Sequence, residues 1–413
     1  MWDRGLKYVL KKNMSSKKDL FLSHVGQTSS LPLMLDVAKA EGVYIFDTTG
    51  KRYIDMNSGI SVSSMGHGHP EIIEAVISQS KNYMHTMVYG EHIQSPQVEF
   101  AQNLSELLPD QLNSLYYLMS GTEATELAMK LARKTSNRYQ LIACRNAYHG
   151  STIGAESLRS DLSYTSSFMP LVPGIRHINF NSLEDLGKIT EETAGVICEV
   201  IQGEAGVISA TNEFLTELRK KCDQTGALLI FDEIQSGFGR TGSLFAFEQY
   251  AVIPDILLIG KAMGGGMPLA GVVSSHEIMQ NLIANPSLGH ITTFGGHPVS
   301  CASANTMLKI LLRENLIEKI VEKSKMLQSA LSNHPIIKEV RAAGLMMAVE
   351  PTRRKYLKHI VARAFQLGVL VDWFLFNNRS FRLAPPLVIN HDEIDEACKI
   401  LLEACDYAQR QYH

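Results

Sequence analysis

Two short, wholly apolar runs in the middle of the chain constrain its fold more than any other feature. Residues 228–231 read Leu-Leu-Ile-Phe and residues 256–259 read Ile-Leu-Leu-Ile, and both runs give way at once to polar or glycine-rich sequence. An uninterrupted apolar run of this length is typical of a strand buried on both faces, as in a parallel sheet. Helical patterns such as residues 213–222 separate runs of this kind, and the alternation predicts an α/β fold with a doubly wound sheet.

A carboxylate and an amine follow these two strands closely. Asp232 comes directly after the first run, and Lys261 comes two residues after the second. Ligands of open α/β sheets bind at the carboxyl ends of the strands, so we expect both side chains to face one cleft. Pyridoxal phosphate requires such a pair, because a lysine forms a Schiff base with its aldehyde and a carboxylate keeps its ring nitrogen protonated. Taken alone, Asp232 could instead cap a turn and Lys261 could be a solvated loop lysine.

The composition excludes several functional classes. A chain of 413 residues is too long for one core of ordinary size, so two or three domains are expected. The formal net charge is −3 and the basic residues are dispersed, which leaves no basic stripe for nucleic acid. No apolar stretch approaches the ~20 residues of a membrane span. The six cysteines show neither a C-x-x-C pair nor metal-ligand spacing, so we predict reduced core cysteines in a cytoplasmic protein.

The two ends of the chain are predicted to form a smaller unit beside the strand-rich middle. Residues 33–56 alternate apolar runs with turns, which predicts a hairpin or a meander. One long helical run over residues 299–331 is expected to end the large domain, and the sequence beyond it predicts a small α/β unit. The assigned domains are residues 1–60 as an N-terminal segment joining the small domain, residues 61–310 as the large cofactor-binding domain, and residues 311–413 as the small domain.

The first seventy residues leave two questions open. Residues 1–18 lack the apolar stretch of a signal peptide, and Met14 is as good a start as Met1, which would make residues 1–13 an extension. His67 and His69 invite a metal site, but no cysteine or acidic residue has matching spacing. We therefore interpret them as structural loop histidines and predict no metal.

The stretch Ser120-Gly121-Thr122-Glu123 predicts the start of a helix with an anion site. Serine followed three residues later by glutamate is a capping box, and an apolar face at helical spacing follows it. The free N–H groups of Gly121 and Thr122 lie in the first turn, where the helix dipole also favours a phosphate. Many helices begin with such a motif and bind nothing, so it needs support from other residues.

Further site candidates follow two other predicted strands. Tyr148 follows the strand at residues 140–144 and could stack on a heteroaromatic ring, although half-buried packing is the commoner role of such a tyrosine. Glu199 interrupts an apolar strand, and Glu204 follows it closely. A buried carboxylate is costly unless it is paired, so both glutamates are candidates for site residues.

Together these motifs resemble the class III, or ω-amino-acid, aminotransferases, and among them the acetylornithine and ornithine aminotransferases. The resemblance runs in family order from about residue 30 to the C-terminus. It implies a homodimer with pyridoxal-phosphate fold type I, in which a large domain has a mainly parallel, doubly wound sheet and a smaller α/β domain is built from both chain ends. The matching stretches are residues 120–126, 148–150, 201–204, 232–237, 260–262, 292–296 and 382–386.

The resemblance also implies a role for each matching residue. Lys261 would form the Schiff base and then carry a proton from the substrate carbon to the cofactor, and Asp232 would pair with the pyridinium nitrogen. Gln235 would hydrogen-bond the ring hydroxyl. The remaining cofactor contacts would be Tyr148 and Ile234 on the two faces of the ring, Gly121 and Thr122 on the phosphate, and Thr293 on the phosphate of the neighbouring subunit.

The substrate contacts implied by the resemblance centre on one ion pair. Glu204 and Arg382 would stay paired while an amine donor is bound, and Arg382 would then be freed to bind the carboxylate of 2-oxoglutarate or pyruvate. One departure concerns the donor. Members of the family usually carry an arginine for the distal carboxylate of the donor directly after the His-Gly pair, and this chain has Ser151 there.

Two other hypotheses remain at this point. An aminomutase or racemase on the same fold would return the amine to its own substrate, whereas a switch between Glu204 and Arg382 is useful only when two substrates alternate. A cofactor-binding scaffold without catalysis is disfavoured because Lys261, Asp232 and Gln235 are all retained.

Overall fold

The structure of the protein, a computed structural model, describes residues 16–412, so the predicted extension at residues 1–13 lies outside it. The strands of the described part are β1 Val37–Glu41, β2 Tyr44–Asp47, β3 Arg52–Asp55, β4 Ser114–Leu118, β5 Gln140–Cys144, β6 Ile175–Ile178, β7 Thr193–Glu199, β8 Ile201–Gln202, β9 Ile208–Ser209, β10 Leu228–Asp232, β11 Ile256–Ile259, β12 Ala270–Ser274, β13 Ile337–Ala343, β14 Met346–Pro351, β15 Val369–Leu370 and β16 Phe381–Leu383.

Helices cover the sheets and connect most of the strands. Shorter helical turns occur as well, among them Ile153–Ser157 after β5. The helices of eight residues or more are α1 Lys17–His24, α2 Pro70–Asn82, α3 Ser95–Ser105, α4 Gly121–Ser136, α5 Asn212–Thr225, α6 Pro298–Arg313, α7 Leu316–Ser332, α8 Arg354–Leu367 and α9 His391–Arg410.

The central sheet has seven strands in the order β4-β12-β11-β10-β7-β5-β6. The pairs from β11 to β6 are parallel, whereas β12 is antiparallel to both β11 and β4. The predicted mainly parallel sheet is therefore confirmed. Its two central apolar runs, β10 and β11, are neighbours in register, with Phe231 opposite Leu257 and Asp232 opposite Leu258.

Both faces of the central sheet are buried against helices. Along β10, Leu229 and Phe231 belong to a core that includes Leu218 of α5, whereas Ile230 belongs to a core that includes Leu127 of α4. Alternate residues of one strand thus reach two separate apolar layers, which explains why the run is apolar at every position. A sheet covered in this way presents its ligand cleft at the carboxyl ends of the strands.

The N-terminal meander pairs with a strand from the other end of the chain. Strands β1, β2 and β3 are antiparallel, and β15 joins β3 in parallel, with Val369 opposite Ile54. Strands β13, β14 and β16 form a separate antiparallel sheet, and α7, which also packs on α9, lies against β13. The meander is confirmed. The division at residues 60 and 310 stays a prediction.

The predicted single helix over residues 299–331 is wrong. The chain forms α6 and α7 instead, and Glu314 and Asn315 separate them. Asn315 has a φ of 50°, in the left-handed region that asparagine tolerates better than most residues and that a helix cannot contain. Apolar periodicity continues across the break, because both helices pack on the same core.

Among residues 16–412, no helix is long and apolar enough to cross a membrane. The same part of the chain has no group of three or more histidine, cysteine, aspartate or glutamate side chains placed to hold a metal ion. His67, one of the two loop histidines, contacts Asp55 through Nε2 at 2.9 Å. All six cysteines are free and buried.

Candidate active site

A cleft of about 460 Å³ opens at the carboxyl ends of β5, β7, β10 and β11. Most of the predicted site residues line it, and several residues that were not predicted join them. The lining residues are Gly121, Thr122, Tyr148, His149, Gly150, Ser151, Thr152, Glu199, Glu204, Asp232, Ile234, Gln235 and Lys261.

Asp232 is held at the floor of the cleft by two hydrogen bonds. One carboxylate oxygen accepts from the backbone N–H of Ile234 at 3.0 Å, and the other lies 2.7 Å from Nδ1 of His149. Burial on its own lowers the pKa of His149, but the hydrogen bond and the charge of Asp232 outweigh it and raise the pKa. The imidazole thereby fixes the orientation of the carboxylate. A fixed orientation is what pairing with a pyridinium nitrogen requires.

Glu199 is the second acid beside Asp232. The two residues are opposite each other on β7 and β10, and Glu199 accepts hydrogen bonds from the backbone N–H groups of Tyr148 at 3.3 Å and Gly203 at 3.2 Å. Burial, with a smaller contribution from the charge of Asp232, raises the pKa of Glu199 to about 8 against the opposing effect of His149. Glu199 is therefore mostly protonated at neutral pH, so two adjacent buried anions are avoided.

Lys261 begins the turn after β11 with a φ of 47°, and its side chain reaches the same cleft as Asp232. Burial lowers the pKa of Lys261 to about 8, although the nearby carboxylates of Glu204 and Asp232 act in the opposite direction. A far larger fraction of this amine is therefore uncharged at neutral pH than of an ordinary lysine. An uncharged amine is the form that attacks an aldehyde carbon, so Lys261 is suited to covalent attachment of a carbonyl group.

The N-terminus of α4 forms a cradle of small groups at one end of the cleft. The capping box is confirmed, with the Ser120 hydroxyl accepting from the Glu123 backbone N–H at 3.4 Å and the Glu123 carboxylate accepting from Ser120 N–H at 3.2 Å. The backbone N–H groups of the first turn are left for another acceptor. Thr122 and Thr152 bring their hydroxyl oxygens to within 2.7 Å of each other on the same side.

Two glycines keep this cradle open. A Cβ at Gly150 would lie 2.2 Å from the hydroxyl oxygen of Thr122, and Gly150 has a φ of 127° that other residues rarely adopt. A Cβ at Gly121 would lie 2.9 Å from Cδ1 of Ile234. Backbone N–H groups, two hydroxyls and a helix dipole with no side chain in the way fit a phosphate group.

Three further predicted residues enclose the space between the cradle and Asp232. Tyr148 and Ile234 both line the cleft, as does Gln235, whose side-chain oxygen lies against Gly203. The set as a whole offers a phosphate cradle, flat and aliphatic walls, an amide, a carboxylate and an amine. These residues fit pyridoxal phosphate, which, when bound, withdraws electrons from a substrate carbon.

Glu204, which lines the cleft, forms an ion pair with Arg382. Nη2 of Arg382 donates to Oε1 of Glu204 at 2.5 Å, and the two side chains are only 3% and 8% exposed. The other oxygen of Glu204 accepts from the backbone N–H of Leu375 at 3.1 Å. Nε and Nη1 of Arg382 have no hydrogen-bond acceptor in the described chain, so part of the guanidinium is available to a ligand.

Asp372 and Phe374 complete the surroundings of Arg382. The Asp372 carboxylate lies 3.9 Å from Nη1, and the Phe374 ring centroid lies 4.7 Å from Cζ. Burial raises the pKa of Asp372, and the charge of Arg382 reduces that effect. The guanidinium thus lies between two carboxyl groups and an aromatic face, an arrangement in which one partner can be exchanged for a substrate carboxylate.

Thr293 lies away from these residues in a different cavity of about 370 Å³. That cavity is bordered by Glu123 and Glu126 of α4 and by the loop of residues 290–294. Within one chain Thr293 does not line the cleft, so its predicted contact with the phosphate of a neighbouring subunit stays a prediction.

Sequence reasoning did not select His149 or Thr152 as site residues. His149 stands between two residues of the Tyr-His-Gly motif, but a histidine in a loop carries no signal that it will be buried against a carboxylate 83 residues away. Thr152 is recognisable only once the loop after β5 has been placed beside α4. The sequence did indicate Glu199 as a site residue, since a carboxylate inside an apolar strand requires partners.

A family model for class III aminotransferases matches residues 25–405, and the chain belongs to this family. It is a pyridoxal-phosphate-dependent aminotransferase, as the sequence motifs predicted. The match supports neither of the two alternatives. These are the aminomutase or racemase and the scaffold without catalysis.

Curated relatives and solved structures agree with this assignment. The chain is 39% identical over 385 residues to the acetylornithine aminotransferase of Methanopyrus kandleri, covering 92% of this chain and 96% of the relative. It is 38% identical over 379 residues to the [LysW]-aminoadipate semialdehyde/glutamate semialdehyde transaminase of Sulfolobus acidocaldarius, covering 89% and 94%. The ornithine aminotransferase of Toxoplasma gondii, crystallised with partial occupancy of pyridoxal phosphate, superposes with a TM-score of 0.87 at 28% identity and covers 100% of this chain and 99% of its own.

Replacing His149 by phenylalanine is expected to lower kcat/KM about 10- to 100-fold and to weaken cofactor retention. The change keeps a ring of similar size but removes a hydrogen bond to a charged group. Steady-state kinetics and cofactor titration of the variant measure both effects. His177→Phe is the matched control, because the imidazole of His177 contacts the Leu158 carbonyl at 3.0 Å and neither residue lines the cleft. Equal losses in the two variants would contradict a role for His149 in orienting Asp232.

Proposed function

We propose that this aminotransferase takes a terminal amine from an ornithine-like or acetylornithine-like ω-amino donor and transfers it to 2-oxoglutarate or pyruvate. The observation that carries the proposal is the buried pair of Glu204 and Arg382 beside Lys261. The relatives named for acetylornithine and aminoadipate semialdehyde support a donor with its amine at the end of a chain.

Each residue around the cofactor has a separate role in this proposal. Lys261 holds the cofactor and later moves a proton between the substrate carbon and the cofactor, while Asp232 neutralises the ring nitrogen. Gly121 and Thr122 bind the phosphate, Tyr148 and Ile234 enclose the ring, and Gln235 binds its hydroxyl group. Their common location in one cleft supports these roles.

The ion pair explains how one site accepts two unlike substrates. While an amine donor occupies the cleft, the charge of Arg382 is neutralised by Glu204 and does not oppose the donor amine. A 2-oxo acid brings a carboxylate of its own, which can replace the Glu204 carboxylate on the guanidinium of Arg382. The incoming carboxylate keeps Arg382 paired, and Glu204 retains the hydrogen bond from the Leu375 backbone N–H.

The proposal includes a homodimer in which Thr293 serves the neighbouring site. Large apolar side chains near Thr293 are exposed in the single chain, among them Ile291 at 52% and Phe294 at 51%. A second copy over this surface would bury them. The proposal also places the enzyme in the cytoplasm and in amino-acid metabolism, and the six free, buried cysteines support a reducing compartment. Sedimentation analysis tests the dimer, for which a mass of two chains is expected.

A screen of both half-reactions tests the proposed donor and acceptor. Purified holoenzyme is mixed with ornithine, N-acetylornithine, 4-aminobutyrate, β-alanine, lysine and simple diamines, and the visible absorbance of the cofactor is followed. Loss of absorbance with ω-amino donors, and its return on adding 2-oxoglutarate or pyruvate, is the expected result. Isomerisation of one substrate without any 2-oxo acid would contradict the proposal and favour an aminomutase.

A further inference from the structure

Arg159 is a buried cation close to the position where the family arginine is missing. It follows the short helix Ile153–Ser157 and lies among three aromatic rings. Its Cζ is 5.2 Å from the ring centroid of Tyr148, 5.0 Å from that of Tyr164 and 5.8 Å from that of Phe376. Tyr148 lines the cleft, so the guanidinium of Arg159, which is not itself among the lining residues, contacts a side chain that is.

The guanidinium of Arg159 is incompletely paired. Its side chain is 8% exposed, and Nη1 lies 3.2 Å from Oε1 of Glu156, which is 5% exposed. Nε of Arg159 has no hydrogen-bond acceptor in the described chain. Oε1 of Glu156 likewise has no hydrogen-bond donor there, because its contact with Nη1 lacks hydrogen-bond geometry. A buried N–H of a charged group without an acceptor is costly, which suggests that this edge of the guanidinium has another partner.

The neighbours of Arg159 connect it to the substrate end of the cleft. The Tyr148 hydroxyl lies 3.1 Å from the Ser151 hydroxyl. The backbone N–H of Phe376 donates to the Glu204 carbonyl at 3.1 Å, and Glu204 belongs to the ion pair with Arg382. The aromatic group around Arg159 thus extends from Ser151 to Glu204, and both of these residues line the cleft.

We propose that Arg159 supplies the positive charge for the distal carboxylate of the amine donor, together with the hydroxyls of Tyr148 and Ser151. Nε and the neighbouring amino group of a guanidinium present two parallel N–H donors, which match the two oxygens of a carboxylate. Glu156 holds the opposite edge and keeps the charge in place. This inference rests on the proposed function, since it concerns the donor of the same reaction.

The test compares donors that differ only in the carboxylate. Half-reactions of the wild type and of Arg159→Gln are measured with N-acetylornithine against N-acetylputrescine and with ornithine against putrescine. The variant is expected to lose about 10- to 100-fold in kcat/KM with the carboxylated donors, mainly through KM. Its values for the two amines without a carboxylate are expected to stay within about threefold of wild type. Arg159→Lys should recover part of the loss, because it keeps the charge but not the planar edge.

A rescue and a surface control separate this role from a structural one. Adding Ser151→Arg to Arg159→Gln places a guanidinium on the cleft wall and should restore the preference for carboxylated donors. A residue that only supported Tyr148 would not be replaced in this way. Arg145→Gln, at an exposed position, removes the same charge and should leave both donor series unchanged.

The outcomes distinguish this inference from the proposed function. Equal losses with both members of a donor pair, or no loss in Arg159→Gln, would overturn the inference and leave the aminotransferase assignment intact. A wild type that reacts equally well with both members of each pair would also overturn it. A wild type that reacts with no ω-amino donor would overturn the proposed donor class and the inference with it.

Discussion

The Asp232→Asn variant is expected to lose transamination by about 10²- to 10⁴-fold. Asparagine keeps the size of the side chain and can still accept from the Ile234 N–H, but it carries no charge. A pyridinium buried without its counter-ion costs about 3 to 5 kcal/mol, and this cost falls on the step that needs a protonated ring. The neighbouring His149 would also lose the anion that raises its pKa.

Single-turnover measurements with an amine donor test this expectation, because they report the chemical step without product release. Asp223→Asn serves as the control, since Asp223 is 63% exposed and pairs with Arg219 of its own helix. The melting temperature and the visible spectrum show whether each variant folds and holds the cofactor. Near-normal turnover of Asp232→Asn would contradict the assignment of Asp232 to the ring nitrogen.

The Arg382→Met variant is expected to separate the two half-reactions. Without the guanidinium, a 2-oxo acid loses its bidentate partner, and kcat/KM for the acceptor should fall by about 10²-fold or more. The donor half-reaction needs no free Arg382 and should fall by less than about tenfold. The single variant also leaves Glu204 buried without its partner, which is destabilising in its own right.

The double variant Arg382→Met with Glu204→Gln controls for that buried charge. It removes both ions, so its melting temperature should exceed that of the single variant while its acceptor half-reaction stays impaired. Rapid-mixing absorbance measurements follow donor and acceptor separately in each protein. Equal losses in the two half-reactions of Arg382→Met would rule out a selective role in binding the 2-oxo acid.

The central sheet and the cofactor cleft could be predicted from local sequence because local signals specify them. The runs at β10 and β11 are apolar at every position since both of their faces are covered, and the capping box before α4 is satisfied within four residues. Asp232 and Lys261 reached one cleft because neighbouring parallel strands end at the same edge.

The contacts that were missed depend on residues far apart in the chain. No local pattern places His149 against Asp232, or Arg159 against Phe376, because the loops that carry them are positioned by the sheet and not by their own sequence. Glu204 and Arg382, which are 178 residues apart, were paired from the family resemblance, whereas their burial and the approach of Asp372 emerged only in the structure. Asn315 ended α6 although the apolar spacing continued.

The most direct test of the account is to identify the residue that carries the cofactor. Borohydride treatment of the yellow holoenzyme fixes pyridoxal phosphate to the lysine that holds it, and peptide mass mapping then locates the added group. We expect the label on Lys261, and we expect the Lys261→Ala variant to carry no label and to transfer no amine. A label on any other lysine, or full activity of Lys261→Ala, would contradict it.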